Sequence, residues 1–210
     1  MRNNLNFLWL SLAFVGLSGC ASMSGDECET SDWSAIGYED GSRGYADNRL
    51  GKHRKACAKH GITPDFAAYQ SGRDRGLVQY CQPRRGFSVG SSGGQYNGVC
   101  RVDLEADFLD AYNAGYHLHT LRSNVSSANS QIYSRERELD TIEKDVIRIG
   151  AALISDDITT EARILLLADL KNSSERTGQL ETEIKELIDY RARAEVELQQ
   201  YQVVVADLGY

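Results

Sequence analysis

The chain of 210 residues is poor in proline, with Pro64 and Pro83 alone, and in histidine, with imidazoles only at positions 53, 60, 117 and 119. It has no apolar run of bilayer length. The stretch from Leu5 to Gly16, interrupted by Asn6 and Ser11, is about a dozen residues, too few for a hydrocarbon core of roughly 30 Å. No glycine-rich stretch ends in Gly-Lys-Ser/Thr, so a phosphate loop is not expected, and there is no Cys-x-x-Cys pair of the kind that builds zinc sites. Beyond Leu118 there is no cysteine, no proline and little glycine, only Gly150, Gly178 and Gly209. The second half thus has few means of making tight turns and reads as a helical device, while the turn-forming residues belong to a compact first half that ends near residue 117.

The N-terminus carries one charged side chain, Arg2, then the short apolar run, then Leu17-Ser18-Gly19-Cys20. A basic tip, an apolar stretch and small residues form a secretory leader, and a cysteine at the cut resembles the lipobox of bacterial lipoproteins. The resemblance implies removal of residues 1–19 and a Cys20 carrying a diacylglycerol thioether and an N-acyl chain, an anchor of several chains that would hold the protein stably to a membrane. Ala21, where sorting signals would place Asp, implies the outer membrane, facing the periplasm.

Four cysteines remain, Cys28, Cys57, Cys81 and Cys100. An even count in an exported chain reads as two disulfides. Three connectivities are open; sequential pairing, Cys28 with Cys57 and Cys81 with Cys100, is expected because it encloses compact loops, each worth roughly 3 kcal/mol. The competing reading is a metal site of His53, Cys57 and His60, which an oxidising compartment disfavours. The expected organisation is a leader over 1–19, a lipidated tether over 20–27, a disulfide-stapled glycine-rich head over 28–117 and a long antiparallel two-helix coiled-coil hairpin over 118–210, in all a mainly α protein.

Charge in the head is layered. Six acids and no bases lie between Ala21 and Ser42; eleven bases face Asp47, Asp65 and Asp74 between Arg43 and Arg101; Asp103, Glu105, Asp107 and Asp110 follow. Either the acids fold back on the basic segment, or that segment is a patch for anionic envelope material such as lipid headgroups or cell-wall glycan. Tyr38, Tyr69 and Tyr112 each precede a glycine by three residues, and Ala68 to Gly72 aligns with Ala111 to Gly115. Gly37, Gly41 and Gly44, and Gly72 and Gly76, share helical faces, which suits close backbone packing; a ligand cage of Trp33 and tyrosines is the alternative. Thr63 and Pro64 read as the start of a helix. Residues 86–98 read as a loop or glycine-rich hairpin, and with Arg84, Arg85 and Tyr96 form the candidate contact surface.

These residues together, Trp33, Gly37-Tyr38-x-Asp40-Gly41-x-x-Gly44, His53 with Ala56-Cys57, Gly61-Ile62-x-Pro64-Asp65, Tyr69-x-x-Gly72-Arg73-x-x-Gly76-Leu77, Tyr80-Cys81 and Tyr96-x-Gly98-Val99-Cys100, resemble a family of bacterial lipoproteins known as domain of unknown function 2799. The resemblance covers about Cys28 to Gly115 and implies no catalytic residue.

In the second half, Leu118, Leu121, Val125, Ala128, Ile132, Arg135, Leu139, Ile142, Val146, Ile149 and Leu153 alternate steps of three and four, one seam of a helix over about 118–154. Ser155, Asp156, Asp157 and Thr159 suit a turn and a new N-cap. Leu166, Leu170, Ser173, Thr177, Leu180, Ile184, Leu187, Arg191, Ala194, Leu198, Tyr201, Val205 and Leu208 mark a second seam over about 160–208. Eleven bases meet seventeen acids from Leu118 onward, which disfavours nucleic acid and anionic lipid as partners of this arm. With cysteines expected in disulfides and no serine expected in a Gly-x-Ser-x-Gly setting, the chain is expected to be a non-enzymatic envelope lipoprotein, without cofactor, acting as a scaffold or through self-association of residues 118–210. A glycan- or lipid-binding head is the first alternative and a hydrolase the second.

Overall fold

The computed structural model describes residues 23–209, which fold into seven helices and no strand. The leader and Cys20 lie outside the described residues. Helix α1 spans Gly25–Thr30, α2 Trp33–Ser42, α3 Arg49–Ala58, α4 Phe66–Tyr80, α5 Pro83–Ser91, α6 Val102–Leu153 and α7 Thr160–Asp207. None of these helices is long and apolar enough to cross a membrane.

The starts of the helices follow local side-chain chemistry. The Ser24 hydroxyl accepts the Glu27 amide hydrogen while the Glu27 carboxylate accepts that of Ser24, a complete capping box for α1. Asp32 caps α2 by accepting from the amides of Ser34 and Ala35. Asp65 caps α4 through the Ala68 amide, so α4 starts after Asp65 and not at the expected Thr63 cap; the aspartate outcompetes the threonine two residues upstream. Thr159 caps α7 at the Ala162 amide.

Two helix pairs form the glycine-rich part, and the second repeats the first except at Gly72, whose place is taken by Ala111. In the first, Gly37 and Gly41 of α2 lie against the carbonyls of Tyr69 and Arg73 of α4, while Gly72 and Gly76 of α4 lie against those of Ser34 and Tyr38. In the second, Gly86 and Gly90 of α5 lie against the carbonyls of Phe108 and Tyr112 of α6, while Gly115 lies against that of Phe87. A side chain at any of these glycines would occupy the partner's backbone, so the seams exist only because the Cβ is missing. After each first helix comes a glycine with positive φ, Gly44 at 69° and Gly93 at 73°, packed on the ring of Tyr80 or of His119 respectively. The equivalence sets Gly37-Tyr38-x-x-Gly41-Ser42-x-Gly44 against Gly86-Phe87-x-x-Gly90-Ser91-x-Gly93, and Tyr69 and Gly76 against Phe108 and Gly115. The alignment of Ala68–Gly72 with Ala111–Gly115 is therefore one helical turn out of step. Gly72 and Gly76 share a face, and sequence similarity alone does not choose between them.

Each unit is closed by one disulfide, Cys28–Cys57 in the first and Cys81–Cys100 in the second. Both run from a cysteine ahead of the unit's first helix to one in the connector before its second. Cys28, Trp33, Cys57 and Tyr69 form one core, and Leu77, Tyr80, Cys81 and Phe108 the other.

The structure corrects two boundaries. The segment read as a loop from Gly86 is helical as far as Ser91, because Pro83 suits the first helical position and Gly86 and Gly90 fall on one face against α6. The connector is thus confined to residues 92–101. Helix α6 begins at Val102 rather than near 118. Its first turns face α5 through Phe108, Ala111 and Gly115, a seam of mixed aromatic and small residues that carries no leucine pattern.

From Leu118 onward α6 packs on α7. The contacts run in opposite order along the two helices: the Arg163 guanidinium donates to the Leu153 carbonyl, Arg176 to Glu138, Arg191 to Asn129, and the Tyr201 hydroxyl to the Ala114 carbonyl. Leu118, Leu121, Ala128, Ile132, Ile149, Leu180, Ala194 and Val205 are buried along this seam, while Leu208 is exposed.

Candidate functional site

The most polar part of the interior lies in the first unit. Asp40 on α2 is 5% exposed. Its carboxylate receives His53 Nε2 of α3 at 2.7 Å, the Tyr69 hydroxyl of α4 at 2.9 Å and Arg49 Nε of α3 at 3.4 Å. Burial pushes the Asp40 carboxyl upward, but the hydrogen bonds from His53 and Tyr69 and the charges of His53 and Arg49 hold it below the usual carboxylate range on balance. The same contact raises the Tyr69 phenol, first through burial and then through its bond to Asp40. Trp33 stands edge-on to the His53 ring at 6.2 Å.

One turn along α4, Arg73 is 6% exposed and reaches under the α2–α3 loop. It donates to the Tyr45 carbonyl at 3.0 Å and pairs with Asp47 at 2.7 Å, while its buried Nε has no partner among the described residues. Arg49 lies over the Tyr45 ring at 4.5 Å.

The second unit serves as an internal control for what this cluster contributes. At the places of Asp40, Tyr69 and Arg73 it has Val89, Phe108 and Tyr112, and it closes the same glycine seam with apolar contacts. The seam therefore does not need the polar groups. What differs is the connector. The first unit carries helix α3 there, fastened by His53 and Arg49 to Asp40 and by Cys57 to Cys28; the second has residues 92–101, fastened by Cys100 to Cys81 and by Tyr96 against Phe108. On the far side of α3 is a pocket of about 400 Å³ lined by Leu50, Gly51, Arg54, Thr63, Pro64 and Phe66 among others.

The candidate contact residues are not brought together. Arg84 and Arg85 are exposed on α5. Tyr96 is turned inward, its hydroxyl donating to Glu105 and accepting the Cys100 amide hydrogen, and burial with the Glu105 contact pushes its phenol up to about 12. Cys57 is spent in a disulfide, which removes it from a metal set with His53 and His60. The layered charges meet only in part: Asp40 takes Arg49 and Asp47 takes Arg73, yet Lys52, Arg54, Lys55 and Lys59 form no ion pair among the described residues.

The expectation that no serine sits in a Gly-x-Ser-x-Gly setting is wrong: Gly86-Phe87-Ser88-Val89-Gly90 has that spacing of a hydrolase nucleophile elbow. The structure sets Ser88 inside helix α5, not on a strand-to-helix turn, and uses both glycines to pack on α6. The Asp40–His53 pair likewise went unread, although Trp33, Gly37, Asp40 and Gly41 share one helical face, where an acid is the odd member.

No curated protein and no solved structure matches the chain. Residues 32–117, which hold both glycine seams and the Asp40 cluster, match the model of the family described as "Protein of unknown function (DUF2799)".

Proposed function

We propose that the chain is a non-enzymatic lipoprotein of the bacterial cell envelope, anchored at Cys20, whose helices α6 and α7 form an antiparallel coiled-coil hairpin that scaffolds a protein partner. The observation that carries this reading is the continuity of α6. One helix runs from the core of the family domain, where Phe108 is fully buried, to Leu153 at the far end of the pair. That far end is apolar on more sides than its pairing uses: Ile147, Ile154, Ile164, Leu165 and Leu167 are all exposed. Large apolar side chains left exposed side by side mark a surface that something else covers. The acid excess of this half favours a protein over an anionic lipid as that cover.

Photo-crosslinkers placed in cells at positions 147 and 165 test the proposal, with positions 137 and 144 on the same arm as comparison. Capture of one defined protein, or of a second copy of the chain, at the far-end positions and not at the others is expected. Equal labelling at all four positions would overturn the reading, as would a membrane fraction unaltered by Cys20→Ser for the anchor.

A further inference from the structure

The geometry points to helix α3 as a surface that lies on phosphate-bearing lipid headgroups beside the anchor. The second unit shows that the architecture closes without any helix in this place, since residues 92–101 pass from Gly93 to α6 directly. Helix α3 is thus an addition, and beyond the disulfide that both connectors carry it is held by Asp40 to His53 and Arg49 on its inner side. Lys52, Lys55 and Lys59 recur at steps of three and four along its outer side, with Arg54 on the flank beside Gly51 and Ala58. Helix α3 itself contains no acid; Asp47 and Phe66 line the pocket beside Arg54. All four bases are exposed and none has an ion pair or hydrogen bond among the described residues. A row of three lysines flanked by an arginine suits a plane of phosphates, where each Lys or Arg near the surface contributes about 1 kcal/mol of attraction.

The position of the face supplies the second argument. The Cys28–Cys57 bridge joins α3 to α1, and the described chain starts at Met23, packed on the same core, three residues after Cys20. An acylated Cys20 would bring this end of the domain to the bilayer and no other. This inference deepens the lipoprotein reading and rests on it for the location, but the attraction of α3 to headgroups can be measured without the anchor.

The test uses the chain from Ala21 onward, which keeps every helix described and carries no acyl group. Its binding to vesicles containing phosphatidylglycerol is compared with binding to pure phosphatidylcholine by flotation. The expected results are binding to the anionic vesicles alone, a fall of at least about a hundred-fold for Lys52→Gln/Arg54→Gln/Lys55→Gln/Lys59→Gln with an unchanged thermal midpoint, and loss on raising salt from about 0.1 M to about 1 M. Arg84→Gln/Arg85→Gln, which neutralises exposed bases of the second unit, is expected to bind like the parent. Equal binding to both vesicle types, or a quadruple variant that binds as the parent does, overturns the proposal. So does retention on purified cell wall that depends on these four bases without any vesicle binding, since the face would then read a wall polymer. Fractionation of cells carrying Cys20→Ser tests the anchor separately, so failure of one does not pass for failure of the other.

Discussion

The Cα of Gly41 rests against the carbonyl oxygen of Arg73, and Gly90 stands in the same relation to Tyr112 in the second unit. An added methyl group has backbone, not a movable side chain, in its way. Gly41→Ala and Gly90→Ala are therefore expected to cost about 1–3 kcal/mol or more each, and similarly in both units. Gly51→Ala and Gly150→Ala, in helices with nothing within 4 Å, should instead gain up to about 1 kcal/mol. Urea denaturation of the four variants checks both signs; a neutral Gly41→Ala would mean that the two helices can separate freely.

Asp40 has its carboxyl held below the ordinary range in the folded state. Such a group stabilises the fold above its unfolded pKa, near 3.9, and that contribution fades as pH falls through the lowered folded value. Asp40→Asn should cost about 1–3 kcal/mol at pH 7, because the Tyr69 hydroxyl and His53 lose a charged acceptor. The gap between variant and parent should narrow at pH 3. Denaturation at the two pH values decides it, and an unchanged gap would show that the charge of Asp40 contributes nothing.

The two disulfides close separations of 29 and 19 residues. Replacing either pair by serine should cost roughly 3 kcal/mol, and the two losses should differ by only about 0.4 kcal/mol, because closure entropy grows with the logarithm of loop length. Thermal melts of the two double variants test this. A much larger loss for Cys28→Ser/Cys57→Ser would mean that the bridge also holds α3 in place enthalpically.

Midway along the arm, Arg135, Glu138, Arg176 and Glu183 close a ring of alternating charge across α6 and α7, with contacts of 2.8 to 3.3 Å. Partly exposed pairs of this kind are screened by salt. A double-mutant cycle on Glu138→Gln and Arg176→Gln should show coupling at about 0.1 M salt that is largely gone at about 1 M; coupling indifferent to salt would contradict an electrostatic role.

What could be read in advance divides along the same physical line as the fold. The seam from Leu118 to Leu153 and its partner series were legible because one apolar face meets another along tens of residues, and a step of three and four leaves a mark in composition. Helix α5 and the first turns of α6 were not, because their contact is made by backbones meeting over Gly86, Gly90 and Gly115, and glycines advertise turns as readily as close packing. The motif of tyrosine and glycine signalled the seam but not its register. Asp40 escaped notice for a different reason: its partners His53 and Tyr69 are distant in sequence, and only the apolar twin, with Val89 and Phe108 in the same places, shows that its polarity is a choice and not a packing requirement.

Between Ala114 and His119, α6 is gripped from two sides at once. Gly115 touches α5 and His119 backs Gly93, while Ala114 and His117 meet Tyr201 of α7. No residue there can bend without opening one seam or the other. From Phe108 to Leu153 the helix rises about 68 Å at 1.5 Å per residue. The protein is joined by a shared hinge plate: the same six residues belong to both seams, so a change that loosens one is felt by the other.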